Sequence, residues 1–130
     1  MSLNDPLSNA LSKIMNTEQI GKKKCIIFPV SKVIKKVLEV MNDNKYIGTF
    51  NEIKDSKGNS IEVNLLGNIN KCGAIRPTYP INVDLFEKFE KRYLPAKDFG
   101  IIIMSTTAGI ITHNEAKKKK IGGKLLAYCY

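Results

Sequence analysis

Near the end of the chain Ser105, Thr106 and Thr107 precede Ala108 and Gly109, His113 follows, lysines run from Lys117 to Lys120, and Gly122, Gly123 and Lys124 close the stretch. Three chemistries could use such residues. A glycine pair before a lysine suggests a phosphate cradle, but a P-loop needs a glycine where Lys118 stands and a Ser or Thr where Leu125 stands. A nucleophilic set could be drawn from Ser105, His113 and Asp98. Yet the single histidine falls at the mouth of a short helix, where an exposed first-turn residue is expected rather than an activating base. RNA recognition uses these residues together. Hydroxyls and backbone amides of a tight turn, Ser105 through Gly109, can reach 2′-OH groups, phosphates and base edges. Ala108 and Gly109 keep that turn slim, Gly122 and Gly123 do the same at the next connection, and the lysines between supply phosphate attraction. A hairpin loop of turn formers or a solvated helix face would explain any one of these features; their conjunction favours a binding surface.

The distribution of charge agrees with a polyanionic partner. The net charge is +9, and residues 21–45 and 101–130 contribute +5 and +4, the whole excess. Clustered cations are rewarded by phosphate neutralisation and counterion release. The three cysteines, Cys25, Cys72 and Cys129, are odd in number and widely spaced, which fits neither a disulfide framework nor a zinc motif, so they are expected to be small buried hydrophobes. No metal and no cofactor is expected. The longest apolar run, Ile101 to Met104, is far short of a membrane span of roughly 18–20 residues, and no secretion signal is legible, so a cytoplasmic protein is expected.

The elements that must position these groups can be read from periodicity. With Asn4 or Asp5 as cap and Pro6 in the first turn, Leu7, Leu11, Ile14 and Met15 mark an amphipathic helix over about 5–17. "CIIFPV" reads as a short strand closed by Pro29, and Ser31 then caps a second helix with Val33, Ile34, Val37, Leu38 and Met41 inward. From Tyr46 the period becomes two, and Ile61, Val63 and Leu65 alternate with polar residues after the turn "DSKGN", which predicts a β-hairpin. After a glycine-marked passage carrying Arg76-Pro77 and Tyr79-Pro80, "NVDLFEKFEKRYL" reads as a helix capped by Asn82. "GIIIMST" is a buried strand that returns through "GII", "THNE" is a capping box opening the lysine helix, Gly122 is placed to stop that helix, and "KLLAYCY" is a closing strand. Tyr128 and Tyr130 are expected to complete a core. The expected fold is α/β (α+β), in two small subdomains: 1–68, helices packed on a short sheet with a β-hairpin, and 69–130, mainly β with short helices, carrying the RNA-binding surface.

The run "GIIIMSTTAGIITHNEAKKKKIGGKLLAYCY" resembles the C-terminal signature of the universal small-subunit ribosomal protein eight family. A Ser-Thr-x-x-Gly turn, an alanine-basic helix, a Gly-Gly pair and a terminal aromatic follow in that order. The opening "NDPLSNALSKIMN" is similar to that family's first helix, and "RPTYPINVDLFEKFEKRYLPAKDFG" resembles its archaeal and eukaryotic branch. Thr107 stands where serine is usual, and Tyr130 where tryptophan or phenylalanine is common.

The resemblance implies a non-enzymatic constituent of the small ribosomal subunit that binds the central domain of its ribosomal RNA early in assembly, beside neighbouring ribosomal proteins. Family members can also repress their own operon's messenger RNA. Carried over by motif, Ser105, Thr106, Thr107 and Gly109 make the principal RNA contacts, Ala108 packs close, Gly122 and Gly123 line the same face, and Lys120 and Lys124 lie beside it. Arg76 joins the set on its charge and its place in a turn. The rival from another class, a small enzyme or phosphate-ligand binder using the glycine pair, requires a deep pocket and a small-molecule ligand, neither of which the resemblance implies.

Overall fold

The computed structural model describes residues 6–28, 31–55, 58–75, 80–96 and 99–130. Asn4, Asp5, Pro29, Arg76, Tyr79 and Asp98, named above, lie outside the described residues. The fold is α+β, with antiparallel sheets, and the chain divides into two compact units, Met1–Lys71 and Cys72–Tyr130.

In the first unit α1 (Pro6–Ile20), β1 (Lys24–Ile27), α2 (Lys32–Asp43), β2 (Ile47–Asp55) and β3 (Gly58–Leu65) follow in order, and the strands lie β1-β3-β2. Both helices pack on the sheet, α1 against β1 and α2 against β2. The apolar stripe of α1, Leu7, Ala10, Leu11 and Ile14, is buried, as are Ile34, Val37, Leu38 and Met41 of α2 and Ile61, Val63 and Leu65 of β3. Val33 departs from the expected inward set and is 42% exposed. It stands at the edge of the buried stripe, about 100° round the helix from Ile34. Ser31 caps α2 as expected, its hydroxyl accepting from the Ile34 N–H at 3.2 Å. Beyond it the Lys35 ammonium hydrogen-bonds Glu52 at 2.8 Å and holds that carboxyl below its ordinary range.

The second unit contains β4 (Cys72–Ala74), β5 (Pro80–Ile81), a 3₁₀ turn (Val83–Leu85), α3 (Phe86–Tyr93), β6 (Ile101–Thr106), β7 (Gly109–Thr112), α4 (His113–Lys119) and β8 (Gly123–Cys129). Its sheet runs β4-β8-β6-β7, with β5 also paired to β8, so the last strand of the chain is its centre. The core gathers Ile75, Ile81, Phe86, Phe89, Ile102 and Leu125 among others. Tyr128 and Tyr130 pack against it in a stack with Tyr93, as expected of them.

The helix expected from Asn82 is corrected. Pro80 and Ile81 are drawn into the sheet as β5, the Leu85 N–H bonds back to Asn82 C=O in a 3₁₀ turn, and α3 begins only at Phe86; the Asn82 side chain makes no cap bond.

Two helices end alike. At the end of α2 the Tyr46 N–H reaches Met41 C=O and the Lys45 N–H reaches Asn42 C=O. At the end of α4 the Ile121 N–H reaches Ala116 C=O and the Lys120 N–H reaches Lys117 C=O. Both are Schellman closures, with a lysine where glycine is usual: Lys45 at φ 63° and Lys120 at φ 55°. Lys120, not Gly122, therefore stops the lysine helix, and Gly122 has another task.

Candidate nucleic-acid interface

The hydroxyl turn is a hairpin end held by its own side chain. Strands β6 and β7 pair in the register Ser105↔Ile110 and Thr106↔Gly109, leaving Thr107 and Ala108 at the tip. The Thr106 hydroxyl donates to Gly109 C=O at 2.8 Å and accepts from the Ala108 N–H at 3.1 Å. Gly109 takes φ +106° with open space where a Cβ would stand, so backbone conformation rather than crowding calls for glycine there. A loop closed by one left-handed glycine is a common hairpin solution. The hydroxyls do not have one role. Thr106 braces the turn, while Ser105 and Thr107 are exposed.

Beside this turn β8 begins under severe crowding. A Cβ on Gly122 would lie 2.4 Å from Ile81 O, and one on Gly123 would lie 2.3 Å from Ser105 O and 2.9 Å from Thr106 Cγ2. The pair is neither a helix stop nor an open phosphate loop; it lets β8 pass between β5 on one side and β6 on the other. Passage at this closeness aligns Lys124 directly opposite Ser105, both exposed. Directly paired residues of an antiparallel ladder project from the same face, so a hydroxyl and an ammonium stand side by side.

Helix α4 carries the remaining cations. Thr112 caps it, accepting from the Glu115 N–H at 3.3 Å, as the capping box requires. Lys117 leans inward and pairs with Glu90 of α3, which is only 3% exposed. Lys118, Lys119 and Lys120 are exposed. Lys118 through Lys120, together with Lys124, therefore form the cationic part of the surface, and Lys117 belongs to its support.

His113 is also corrected. It is buried, not an exposed first-turn residue: its Nδ1 accepts from the Ile102 N–H at 3.1 Å and its Nε2 lies 3.7 Å from Glu90 Oε1. Engaged with the β6 backbone in the core, it is no base for the exposed Ser105. The signal lay in α3, where Glu90 occupies a core-facing place beside Phe86, Phe89 and Tyr93. A carboxylate on such a stripe requires buried polar partners.

Three of the seven lysines of the other basic stretch have carboxylate partners. Lys24 lies 3.5 Å from Glu62, Lys35 pairs with Glu52, and Lys36 lies 3.4 Å from Glu39. Among the described residues no cluster suits a metal ion, and no helix is long and apolar enough to cross a membrane. The cysteines are buried and outside any disulfide, as expected.

The family model of ribosomal protein S8 matches residues 5–130, nearly the whole chain. The chain belongs to the ribosomal protein S8 family. It is a ribosomal protein of the small subunit, working in the cytoplasm with ribosomal RNA and other ribosomal proteins. The S8 family is a structural ribosomal protein family.

Two outcomes follow for this S8 chain. Gly123→Ala should lower stability by about 1–3 kcal/mol through overpacking against Ser105 O, measured by chemical denaturation. In the same assay Lys117→Met, which strips buried Glu90 of its cation, should cost about 1–3 kcal/mol, whereas Lys118→Met should change stability by less than about 0.5 kcal/mol.

Proposed function

We propose that this chain binds the central domain of small-subunit ribosomal RNA and assists its assembly, without catalytic activity of its own. Recognition rests on the face formed by Ser105, Thr107, the slim Ala108–Gly109 backbone and Lys124, with Lys118 to Lys120 supplying longer-range attraction. The observation that carries this reading is the pairing of Ser105 with Lys124 beside a turn that Thr106 braces from within. A rigid edge of hydroxyls and amides suits an RNA minor groove, where 2′-OH groups and phosphates are presented in a shape-dependent array. An ammonium adjacent to a hydroxyl suits a phosphate next to a ribose. Gly122 and Gly123 act by placing these groups. Arg76 is a further contact in this reading, on its charge and turn context alone. A messenger RNA presenting the same helix would compete for this face, and that competition is how the chain would repress its own operon.

A lysine in the left-handed region costs about 1–2 kcal/mol relative to a residue at ease there, and strain of this kind is retained where a side chain is in use. Lys120→Gly should therefore raise stability by about 0.5–1 kcal/mol, after allowing for the flexibility of glycine in the unfolded chain, while weakening RNA binding. An equal affinity in the variant would remove Lys120 from the surface.

Specificity and attraction separate by experiment. Binding to a central-domain RNA fragment, titrated against salt with excess unrelated RNA, should survive the competitor. Thr107→Val should reduce discrimination for the cognate helix by about 1–3 kcal/mol without loss of stability. Lys118→Ala with Lys124→Ala should instead weaken all RNA binding and flatten the salt dependence, by roughly 0.7–0.9 in slope for each phosphate that is no longer neutralised. Competitor-sensitive binding by the unaltered protein would reduce the site to generic electrostatics.

A further inference from the structure

The cysteines of the second unit stand opposite one another. Cys72 opens β4, Cys129 closes β8, and the antiparallel register makes them direct partners. A neighbouring bond tells which kind of pair they form. The Ile75 N–H donates to Leu126 C=O at 2.9 Å, so Ile75 and Leu126 are a hydrogen-bonded pair one step beyond the ladder Ala74↔Ala127, Gly73↔Tyr128, Cys72↔Cys129. Hydrogen-bonded and non-hydrogen-bonded pairs alternate along an antiparallel ladder, which places Cys72 and Cys129 in a non-hydrogen-bonded position. Cα atoms of such a pair are about 4.5 Å apart and their side chains leave the same face. That separation falls inside the window of about 4.4–6.8 Å over which a disulfide closes. Both residues are buried, at 6% for Cys72 and 0% for Cys129, and neither is in a disulfide. Cys25, in contrast, pairs with Val63 across β1 and β3.

We propose that Cys72 and Cys129 are a reversible dithiol–disulfide site, at which a two-electron oxidant, a peroxide or a small-molecule disulfide, cross-links β4 to β8. Cys72 is the point of entry. It is the less buried of the two and belongs to a three-residue strand at the sheet edge, the kind of element that opens locally.

The Cys72 thiolate attacks one oxygen of hydrogen peroxide, the O–O bond breaks, water leaves after protonation, and a sulfenic acid remains. The Cys129 thiolate then attacks that sulfur, the S–S bond forms, and the hydroxyl departs as a second water. Two thiols thereby give up two electrons and two protons, and the peroxide becomes two waters. A thiol reductant reverses the step by exchange. The bond ties the end of the central strand to the start of the second unit, and closing so long a loop restricts the unfolded chain.

The test treats the native full-length protein with hydrogen peroxide and, separately, with oxidised glutathione, alkylates the remaining thiols after unfolding, and maps peptides without reduction. The expected result is one linked peptide joining Cys72 to Cys129, lost on adding dithiothreitol, with Cys25 recovered as its alkylated form. The oxidised protein should melt at a higher temperature than the reduced one. Cys72→Ser, verified as folded by its melting transition, should give no link after the same treatment. A link involving Cys25, a lasting glutathione adduct on Cys72, sulfinic acid without a link, or thiols that react only after unfolding would each overturn the proposal. A lower melting temperature in the cross-linked protein would also overturn it, because the bond would then form only by distorting the ladder.

Discussion

The surface proposed for RNA depends on a single steric constraint, the passage of β8 between two backbones with no room for a Cβ. At Gly122 the obstacle is Ile81 O and at Gly123 it is Ser105 O. Because both contacts are with main chain, they hold the start of β8 against β5 and β6 in a way that flexible side chains could not. The consequence is positional. Lys124 is forced opposite Ser105, and the hydroxyl turn is held at the edge of a sheet whose central strand is β8. The glycine pair is needed for what it admits from within the protein.

Electrostatics is arranged on that frame with a division of labour. Lys117 is turned toward buried Glu90, and His113 reaches from the start of α4 to the backbone of β6, so the basic helix is tied to both α3 and the sheet. Lys118, Lys119 and Lys120 remain outside. A run of four like residues thus contains one structural member and three that face solvent. In the proposed function the exposed lysines supply general attraction for a polyanion, and the hydroxyl edge beside Lys124 supplies the discrimination between RNA shapes. In the first unit, ion pairs at Lys24, Lys35 and Lys36 moderate the larger charge excess.

Much of this is legible in the sequence, and what is not legible has physical causes. Strong periodicity announces α1, α2 and β3, because each buries one continuous face. Local chemistry announces the Ser31 and Thr112 caps and the turn at Gly109. Strands β4 and β5 are too short to show a period and exist through pairing with β8, a partner distant in sequence. Gly122 looks like a helix stop because glycine usually serves there; Lys120 adopts the left-handed conformation instead, and the crowding at Ile81 O is a tertiary fact. His113 looks exposed because a first-turn position says nothing of what packs over it. The clue is Glu90 on an apolar stripe in α3, with two strands between it and α4.

The most direct test of the central claim is an amide chemical-shift map of the isotopically labelled protein on addition of the central-domain RNA fragment at moderate salt. Large perturbations are expected at Ser105 through Gly109 and at Gly122 through Lys124, saturating at one equivalent and persisting with unrelated competitor RNA. Perturbations concentrated at Lys22 through Lys36, or confined to the α4 lysines and erased by salt, would contradict it.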